Sequence, residues 1–185
     1  MAQIIRSAVV TGGAGGIGSV LSDRLARSGY RVVVADASAE AADRVVAALP
    51  GRGHVAVAGD LTLPETNRAA VEAARNEGLF TVLINGVGIS PKERGRKRPF
   101  YDMSPEEWDL VMGVNVKAPL LAVQEAFRHM PADGTASIIN ILSIVAKSGT
   151  GGLPSDTFPP RPAHRLGDGL GPHRRPSRRA GSAAH

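Results

Sequence analysis

The hydrophobic and polar positions of this chain alternate between two periods. Short, mostly apolar runs of strand length occur at residues 7–10, 30–35, 54–58, 80–84 and 137–142. Longer segments with apolar residues at helical spacing lie between them, at residues 17–28, 39–49, 64–77 and 104–128. Strands that alternate with helices are typical of parallel βαβ units. The pattern therefore predicts an α/β fold with a three-layer, doubly wound parallel sheet.

The positive charge of the chain is concentrated at its carboxyl-terminal end. The net charge of all 185 residues is +5. Residues 156–185 hold six arginines, two aspartates and no lysine, together with five of the 13 prolines and no apolar period. Their net charge of +4 leaves the preceding residues nearly neutral. We therefore divide the chain into a folded domain at residues 1–155 and an irregular Pro/Arg-rich tail at residues 156–185.

Composition narrows the classes of site and partner. The chain has no cysteine, which excludes disulfides and thiolate chemistry, and we predict no metal site. No apolar run approaches the roughly 20 residues of a membrane span, and the first residues lack the regions of a signal peptide. We therefore expect a cytoplasmic protein with no membrane contact.

The tail raises nucleic acid as a partner, which we regard as the weakest alternative. Its arginines have no interleaved aromatic residues and no helical pattern, which favours a solvated tail over a nucleic-acid surface. The arginines are Arg161, Arg165, Arg174, Arg175, Arg178 and Arg179.

A glycine-rich loop, TGGAGGIG at residues 11–18, lies between the first predicted strand and the first predicted helix. Glycines let the backbone turn sharply and approach a pyrophosphate, and the helix N-terminus offers free N–H groups and a positive dipole. Asp36 ends the second strand 20 residues after Gly16, where a carboxylate can accept hydrogen bonds from ribose hydroxyls. Because a carboxylate repels a ribose 2′-phosphate, we predict NAD as the cofactor, favoured over NADP.

The spacing of Thr11, Gly12, Gly16 and Gly18, TGxxxGxG, resembles the coenzyme fingerprint of short-chain dehydrogenases/reductases. The resemblance implies a Rossmann-like fold in which these residues and Ile17 bind a nicotinamide dinucleotide. It extends, in order and spacing, over about the first 155 residues.

Two later segments are similar to further coenzyme-binding motifs of this family. Asp60 and Leu61, after the third strand, resemble the pair whose Asp approaches the adenine amino group. Asn85 and Gly86 begin an Asn-Gly-Val-Gly segment that resembles the family's Asn-Asn-Ala-Gly. The resemblance implies that all four residues contribute to the coenzyme site.

Asn115, inside the long helix, and Ser143, after the fifth strand, resemble two catalytic residues of the family. The resemblance implies hydride transfer between nicotinamide and a small alcohol or ketone. In the family a Tyr acts as general base, a Lys lowers its pKa, the Ser orients the carbonyl, and the Asn holds a water of the proton relay.

The family's Tyr-x-x-x-Lys pair is not found. Near the expected position stand Asp156 and Pro160, and no Lys follows Lys147. Neither Tyr30 nor Tyr101 has a Lys four residues later. A reading-frame change in the gene is one explanation for the loss of the family pattern, and it predicts a sheet that is incomplete at the C-terminus. The resemblance also implies a homo-oligomer built through the long helix, an expectation that this loss weakens.

Three functions follow in order of preference. The first is an NAD(P)-dependent oxidoreductase whose activity is impaired in this chain, because the Tyr-x-x-x-Lys pair is absent. The second is a dinucleotide-binding module without catalysis. The third is nucleic-acid binding through the basic tail.

Overall fold

The computed structural model describes residues 4–92 and 102–143 of the chain. The strands within these residues are β1 (Arg6–Thr11), β2 (Arg31–Asp36), β3 (Val55–Ala58), β4 (Leu79–Asn85) and β5 (Ser137–Asn140). The helices are α1 (Gly16–Arg27), α2 (Ala39–Ala48), α3 (Pro64–Glu77), α4 (Pro105–Met112) and α5 (Ala118–Phe127). The predicted tail and its boundary at residue 155 lie outside the described residues, as do Tyr101 and Lys147.

The five strands form one parallel sheet in the order β3-β2-β1-β4-β5. The first three strands run from the centre of the sheet, at β1, to one edge, at β3. The chain then returns to the centre, where β4 lies beside β1, and β5 adds to the other edge. This reversal confirms the predicted doubly wound α/β fold. In such sheets ligands bind beyond the carboxyl ends of the strands, where the direction of winding reverses. Here that position lies between β1 and β4.

Each face of the sheet carries its own hydrophobic core, which gives the three layers. Parallel strands that are buried on both faces contain continuous apolar runs, and β2 accordingly has four buried residues in succession. Val9 and Val33 belong to one core, and the neighbouring residues Val10 and Val34 belong to the other. The helices contribute mainly alanines, which allow close packing: Ala26 and Ala42 from α1 and α2, and Ala70, Ala74, Ala118, Ala122 and Ala126 from α3 and α5.

The helix predicted at residues 104–128 is interrupted in its middle. Ser104 caps α4, because its Oγ accepts a hydrogen bond from Glu107 N at 3.2 Å. Gly113–Lys117 then form a π-helical turn before α5 begins. Single π-helical turns inside α-helices are rare and lie frequently at functional sites.

Together α4, the π-helical turn and α5 span Pro105–Phe127, which is long and apolar enough to cross a membrane by length and composition alone. This finding qualifies the expectation that no segment reaches that length. A core helix of a globular domain passes the same test, and three alanines of α5 pack into the core on the sheet. One face of the segment therefore belongs to the core, while Leu110, Leu120 and Phe127 on it are exposed.

The outer side of β5 is an open edge within residues 4–92 and 102–143. β5 pairs only with β4 there, and it ends at Asn140 rather than at the predicted residue 142. The apolar residues Ile139, Ile141 and Leu142 are exposed along this edge.

Thr81 is the extra residue of a bulge in β4. Two successive residues of β1 pair with Phe80 and Val82, so Thr81 has no partner across the strand. Its side chain is buried, and its hydroxyl has no hydrogen-bond partner among the described residues. An unsatisfied buried hydroxyl costs about 1–3 kcal/mol. We therefore expect Thr81→Val to raise the free energy of unfolding by about 1 kcal/mol.

Thr11→Val is the matched control, since the buried Thr11 hydroxyl accepts a hydrogen bond from Gly86 N at 3.3 Å. We expect this second variant to lower the free energy of unfolding by about 1 kcal/mol. Urea denaturation of both variants measures the difference. A decrease of similar size in both would show that Thr81 does have a partner.

Candidate functional site

Glycines of the loop between β1 and α1 lie in three different surroundings. Gly12 has a φ of +65°, and a Cβ there would lie 2.8 Å from Cα of Val87. At Gly18 a Cβ would lie 2.1 Å from the carbonyl oxygen of Gly12. At Gly16, by contrast, a Cβ would meet no protein atom within 4 Å. Gly12 thus forms the turn, Gly18 allows the helix to pack on the loop, and Gly16 leaves open space.

The N-terminus of α1 begins at this open space and carries no capping side chain. Gly15 precedes the helix and provides no side-chain hydrogen bond, and no acidic residue lies in the first turn. Helices α2 and α4 are capped by Ser38 and Ser104, and α3, which also lacks a capping side chain, has Glu65 in its first turn. The uncapped N–H groups and the positive end of the helix dipole favour an anionic group such as a pyrophosphate.

Asp36, at the end of β2, ties its strand to the glycine loop. Its Oδ2 accepts a hydrogen bond from Ala14 N at 3.0 Å, and its Oδ1 accepts one from Ser38 N at 3.2 Å. The carboxylate is half-buried beside the loop, and neither Ala37 nor Ser38 carries a positive charge. A ribose placed here would meet an acceptor for its hydroxyls and, from these neighbours, no cation for a 2′-phosphate.

The loop after β3 presents Asp60 at the same edge of the sheet. Asp60 Oδ1 accepts a hydrogen bond from Thr62 N at 2.8 Å. Hydrogen bonds with the side chain and backbone of Thr62, and to a smaller extent the charge of Lys117, lower the pKa of the Asp60 carboxyl. Asp60 is therefore ionised near neutral pH. Leu61 is buried in the core, so only its backbone can face a ligand.

Side-chain hydrogen bonds link the carboxyl ends of β1, β4 and β5. Asn85 Nδ2 donates to Asn140 Oδ1 at 2.9 Å. Gly86 N donates to Thr11, at 3.1 Å to the carbonyl oxygen and 3.3 Å to Oγ1. Thr11 and Asn85 are buried. Their side chains thus form the floor of the crevice between β1 and β4 and hold its shape.

Asn115 lies in the π-helical turn and fastens it to the loop that follows β4. Its Oδ1 accepts a hydrogen bond from Ile89 N at 2.8 Å, and its Nδ2 donates to Ile89 O at 2.9 Å. Asn is a poor helix former, and its side chain here satisfies two backbone groups of a distant loop. These two hydrogen bonds hold the loop that follows β4 against the π-helical turn.

Ser143 follows β5 on the same side of the sheet. Ile141 N donates to Asn85 O at 2.9 Å, which continues the pairing with β4 one residue past the end of β5. Ser143 lies two residues further on and is exposed. Asn115 and Ser143 are therefore associated with neighbouring strands, at the edge that also carries the glycine loop.

Comparison with known proteins agrees with this arrangement. The sequence model that describes the short chain dehydrogenase family matches residues 6–155 of this protein. The protein belongs to the short-chain dehydrogenase family. Its fold and motifs are those of nicotinamide-dinucleotide-dependent oxidoreductases.

This short-chain dehydrogenase is similar to two proteins that act on small molecules. It is 36% identical over 147 residues to cis-4-hydroxycyclohexanecarboxylate dehydrogenase of Sinomonas cyclohexanicum. The aligned residues make up 78% of this chain and 57% of that protein. It is 33% identical over 147 residues to 5-keto-D-gluconate 5-reductase of Escherichia coli (strain K12). The aligned residues make up 78% of this chain and 56% of that protein. The chain thus spans little more than half the length of these curated relatives.

A solved relative has the same fold. The 3-ketoacyl-(acyl-carrier-protein) reductase from Brucella melitensis, in complex with NADH, superimposes with a TM-score of 0.74 at 30% identity. The match covers 82% of this chain and 62% of that chain.

Two asparagines that the sequence analysis did not single out also shape the site of this short-chain dehydrogenase. Asn67, buried in α3, donates from Nδ2 to the carbonyl oxygens of Leu61 at 2.8 Å and Leu63 at 2.9 Å, which holds the loop after Asp60. Asn140 is the partner of Asn85. An Asn within a predicted helix was a usable signal for Asn67, as it was for Asn115.

Proposed function

We propose that this protein binds a nicotinamide dinucleotide beyond the carboxyl ends of β1, β2 and β4, with NAD favoured over NADP. The observation that carries the proposal is the open space at Gly16, at the uncapped N-terminus of α1. A pyrophosphate fits there, because its oxygens would accept hydrogen bonds from the free N–H groups. Its negative charge would also lie at the positive end of the helix dipole. The relative solved with NADH supports the same class of ligand.

The proposed reaction is hydride transfer between this coenzyme and a small alcohol or ketone. The bound coenzyme would supply the hydride acceptor or donor. Ser143 would orient the substrate oxygen, while Asn115 holds the adjoining loop through Ile89. Oxidation of an alcohol also releases a proton, and the sequence lacks the Tyr-x-x-x-Lys pair that accepts it in the family. We therefore propose a short-chain oxidoreductase whose turnover is impaired in this chain.

A dinucleotide-binding module without catalysis is the second candidate. It is favoured by the contrast between the two halves of the site. The glycine loop, Asp36 and Asp60 lie together at one edge of the sheet, whereas the sequence contains no paired Tyr and Lys. Binding of the coenzyme without any turnover distinguishes this candidate from the first.

The coenzyme preference is tested at Asp36. We expect Asp36→Asn to narrow the preference for NADH over NADPH about tenfold, because it removes the charge that repels the 2′-phosphate. Fluorescence titration with both coenzymes measures the ratio of their dissociation constants. Asp43→Asn, which removes one charge from the exposed surface of α2, is the matched control and should leave the ratio unchanged.

Equal affinity of the unmodified chain for NADH and NADPH, or tighter binding of NADPH, would show that Asp36 does not select the coenzyme. Absence of binding for both coenzymes would instead contradict the proposed site itself.

A further inference from the structure

A cavity that is partly open to solvent lies at the amino-terminal edge of the sheet, opposite the glycine loop. It has a volume of about 380 Å³ and lies between the starts of β1 and β2 and the segments that follow α1 and α2. Its lining includes Arg6, Tyr30, Arg31, Arg52 and His54. β2 has six residues, so it separates this cavity from the coenzyme edge by about 20 Å.

The charged side chains that line this cavity are all positive. Arg6, Arg31 and Arg52 contribute guanidinium groups, and none of the described lining residues is acidic. None of the three forms an ion pair with a carboxylate in the part of the chain that the structure describes. Arg27 on α1, by contrast, pairs with Asp23 at 2.8 Å.

Contacts hold the walls of the cavity in place and leave donors unused. The Arg6 guanidinium lies 4.6 Å from the centre of the Tyr30 ring. Arg31 Nη1 donates to the backbone carbonyl of Arg52. Arg31 thus has this carbonyl and the nearby Glu77 carboxylate as acceptors, whereas the guanidinium groups of Arg6 and Arg52 form no hydrogen bond or ion pair among the described residues.

His54 is part of the wall and does not add to the charge. Its Nδ1 accepts a hydrogen bond from Val32 N at 3.1 Å, so its proton is on Nε2, which donates to Pro50 O at 2.9 Å. With both ring nitrogens engaged by the backbone, the neutral imidazole fixes the loop that carries Arg52. The arginines are therefore the groups available to a ligand.

Helix ends and one nearby acid offset only part of the positive charge. The C-termini of α1 and α2 end near the cavity, and each carries about half a negative elementary charge. Glu77 lies near Arg31 beside Gly53, outside the lining. These negative charges together amount to about two units against three guanidinium groups. An excess of positive charge remains.

We propose that this cavity binds a small polyvalent anion with phosphoryl or carboxylate oxygens. Guanidinium groups bind such oxygens through paired, charge-assisted hydrogen bonds. The volume is at the lower end of the range of small-molecule sites, which fits a compact ligand. This ligand site is separate from the coenzyme site and does not depend on the proposed reaction.

The test uses two probes, inorganic pyrophosphate and citrate, which separate phosphoryl from carboxylate recognition. Each is titrated into the full chain at about 0.15 M salt, where weak surface attraction is screened. Backbone amide NMR signals of Gly29, Gly51 and His54 report on the cavity walls. We expect saturable shifts of these signals with at least one probe.

Variants decide whether the arginines are responsible. Arg52→Gln and Arg6→Gln should each weaken the binding that these signals report about tenfold, the effect of one lost charge-assisted hydrogen bond. Arg68→Gln, an equal change of charge on the exposed surface of α3, should leave the affinity unchanged.

Three results would overturn the proposal: no saturable shift at the cavity with either probe, equal weakening by Arg68→Gln, or shifts confined to the glycine loop or the basic tail. Because the signals come from the opposite edge of the sheet, failure here is distinguishable from failure of coenzyme binding.

Discussion

The purified 185-residue chain is expected to bind NADH and yet to turn over substrate about 10²-fold to 10⁴-fold more slowly than a relative that has the Tyr-x-x-x-Lys pair. We expect this result because no Tyr in the sequence is followed by a Lys four residues later. Hydride transfer from an alcohol requires removal of the hydroxyl proton, which the family's Tyr accepts beside its Lys. Where that pair is expected, this chain has Asp156 and Pro160. An ordinary Asp carboxyl, with a pKa of about 3.9, is a weak base toward an alcohol.

We expect neither tyrosine of the chain to take over this role. Tyr30 directly precedes β2 and lines the cavity at the amino-terminal edge, so it stands about 20 Å from the coenzyme edge. Tyr101 has Pro105, and not a Lys, four residues later. Changing Asp156→Tyr and Pro160→Lys together should not restore activity, because Pro159 and Pro162 oppose the helix that would align the pair.

The assay follows NADH absorbance with cis-4-hydroxycyclohexanecarboxylate and NAD, and with 5-keto-D-gluconate and NADH. The 5-keto-D-gluconate 5-reductase of Escherichia coli, measured in parallel, is the positive control. Robust turnover by this chain that is lost in Ser143→Ala would contradict the expectation. Turnover that Ser143→Ala leaves unchanged would indicate a contaminating enzyme.

Gly18→Ala is expected to damage the coenzyme site most severely. The added methyl would lie 2.1 Å from Gly12 O and 2.8 Å from Gly13 Cα, so α1 and the loop would have to separate. Overpacking costs typically about 1–3 kcal/mol, and such short contacts with backbone atoms belong at the upper end. We expect the free energy of unfolding to fall by about 3 kcal/mol and NADH affinity to fall about 100-fold.

Gly16→Ala is the matched control for the loss of stability, because it makes the same substitution in the same helix. Apart from its chain neighbours and the backbone of its own helix, no protein atom lies within 4 Å of the added methyl, and replacing Gly by Ala at a compatible position stabilises a protein by about 0.4–1 kcal/mol. Stability to urea should therefore stay the same or rise, while NADH affinity should fall about tenfold or more, because the methyl occupies the proposed pyrophosphate space. Unchanged NADH binding would show that the pyrophosphate does not lie there. A stable Gly18→Ala would contradict the close packing of loop and helix.

The sheet and the glycine loop could be predicted because their signals are local. Apolar runs separated by helical periods indicate the order of strands and helices, and the order predicts the parallel sheet. The glycines predict a sharp turn and room for a pyrophosphate, and the structure adds the close contact between helix and loop at Gly18. Asp36 was placed near the loop by its distance along the chain, and the structure joins it to Ala14.

The remaining features depend on contacts between distant elements. The bulge at Thr81 follows from the register between β1 and β4, which no single strand contains. The π-helical turn is fastened by the hydrogen bonds between Asn115 and Ile89, which lie 26 residues apart. The cavity at the amino-terminal edge combines residues from Arg6 to His54, which share no motif. Periods and spacings in a sequence do not report such pairings.

The most direct test of the account is a map of the NADH site by backbone amide NMR on the full chain. If the coenzyme binds beyond the carboxyl ends of the strands, NADH should shift signals of residues 12–18, 36–38, 60–61 and 85–88, with one common saturation curve. Signals of Gly29 and Gly51, at the opposite edge, should not move with that curve. Saturable shifts confined to other parts of the chain, or no saturable shift at all, would contradict the proposed coenzyme site.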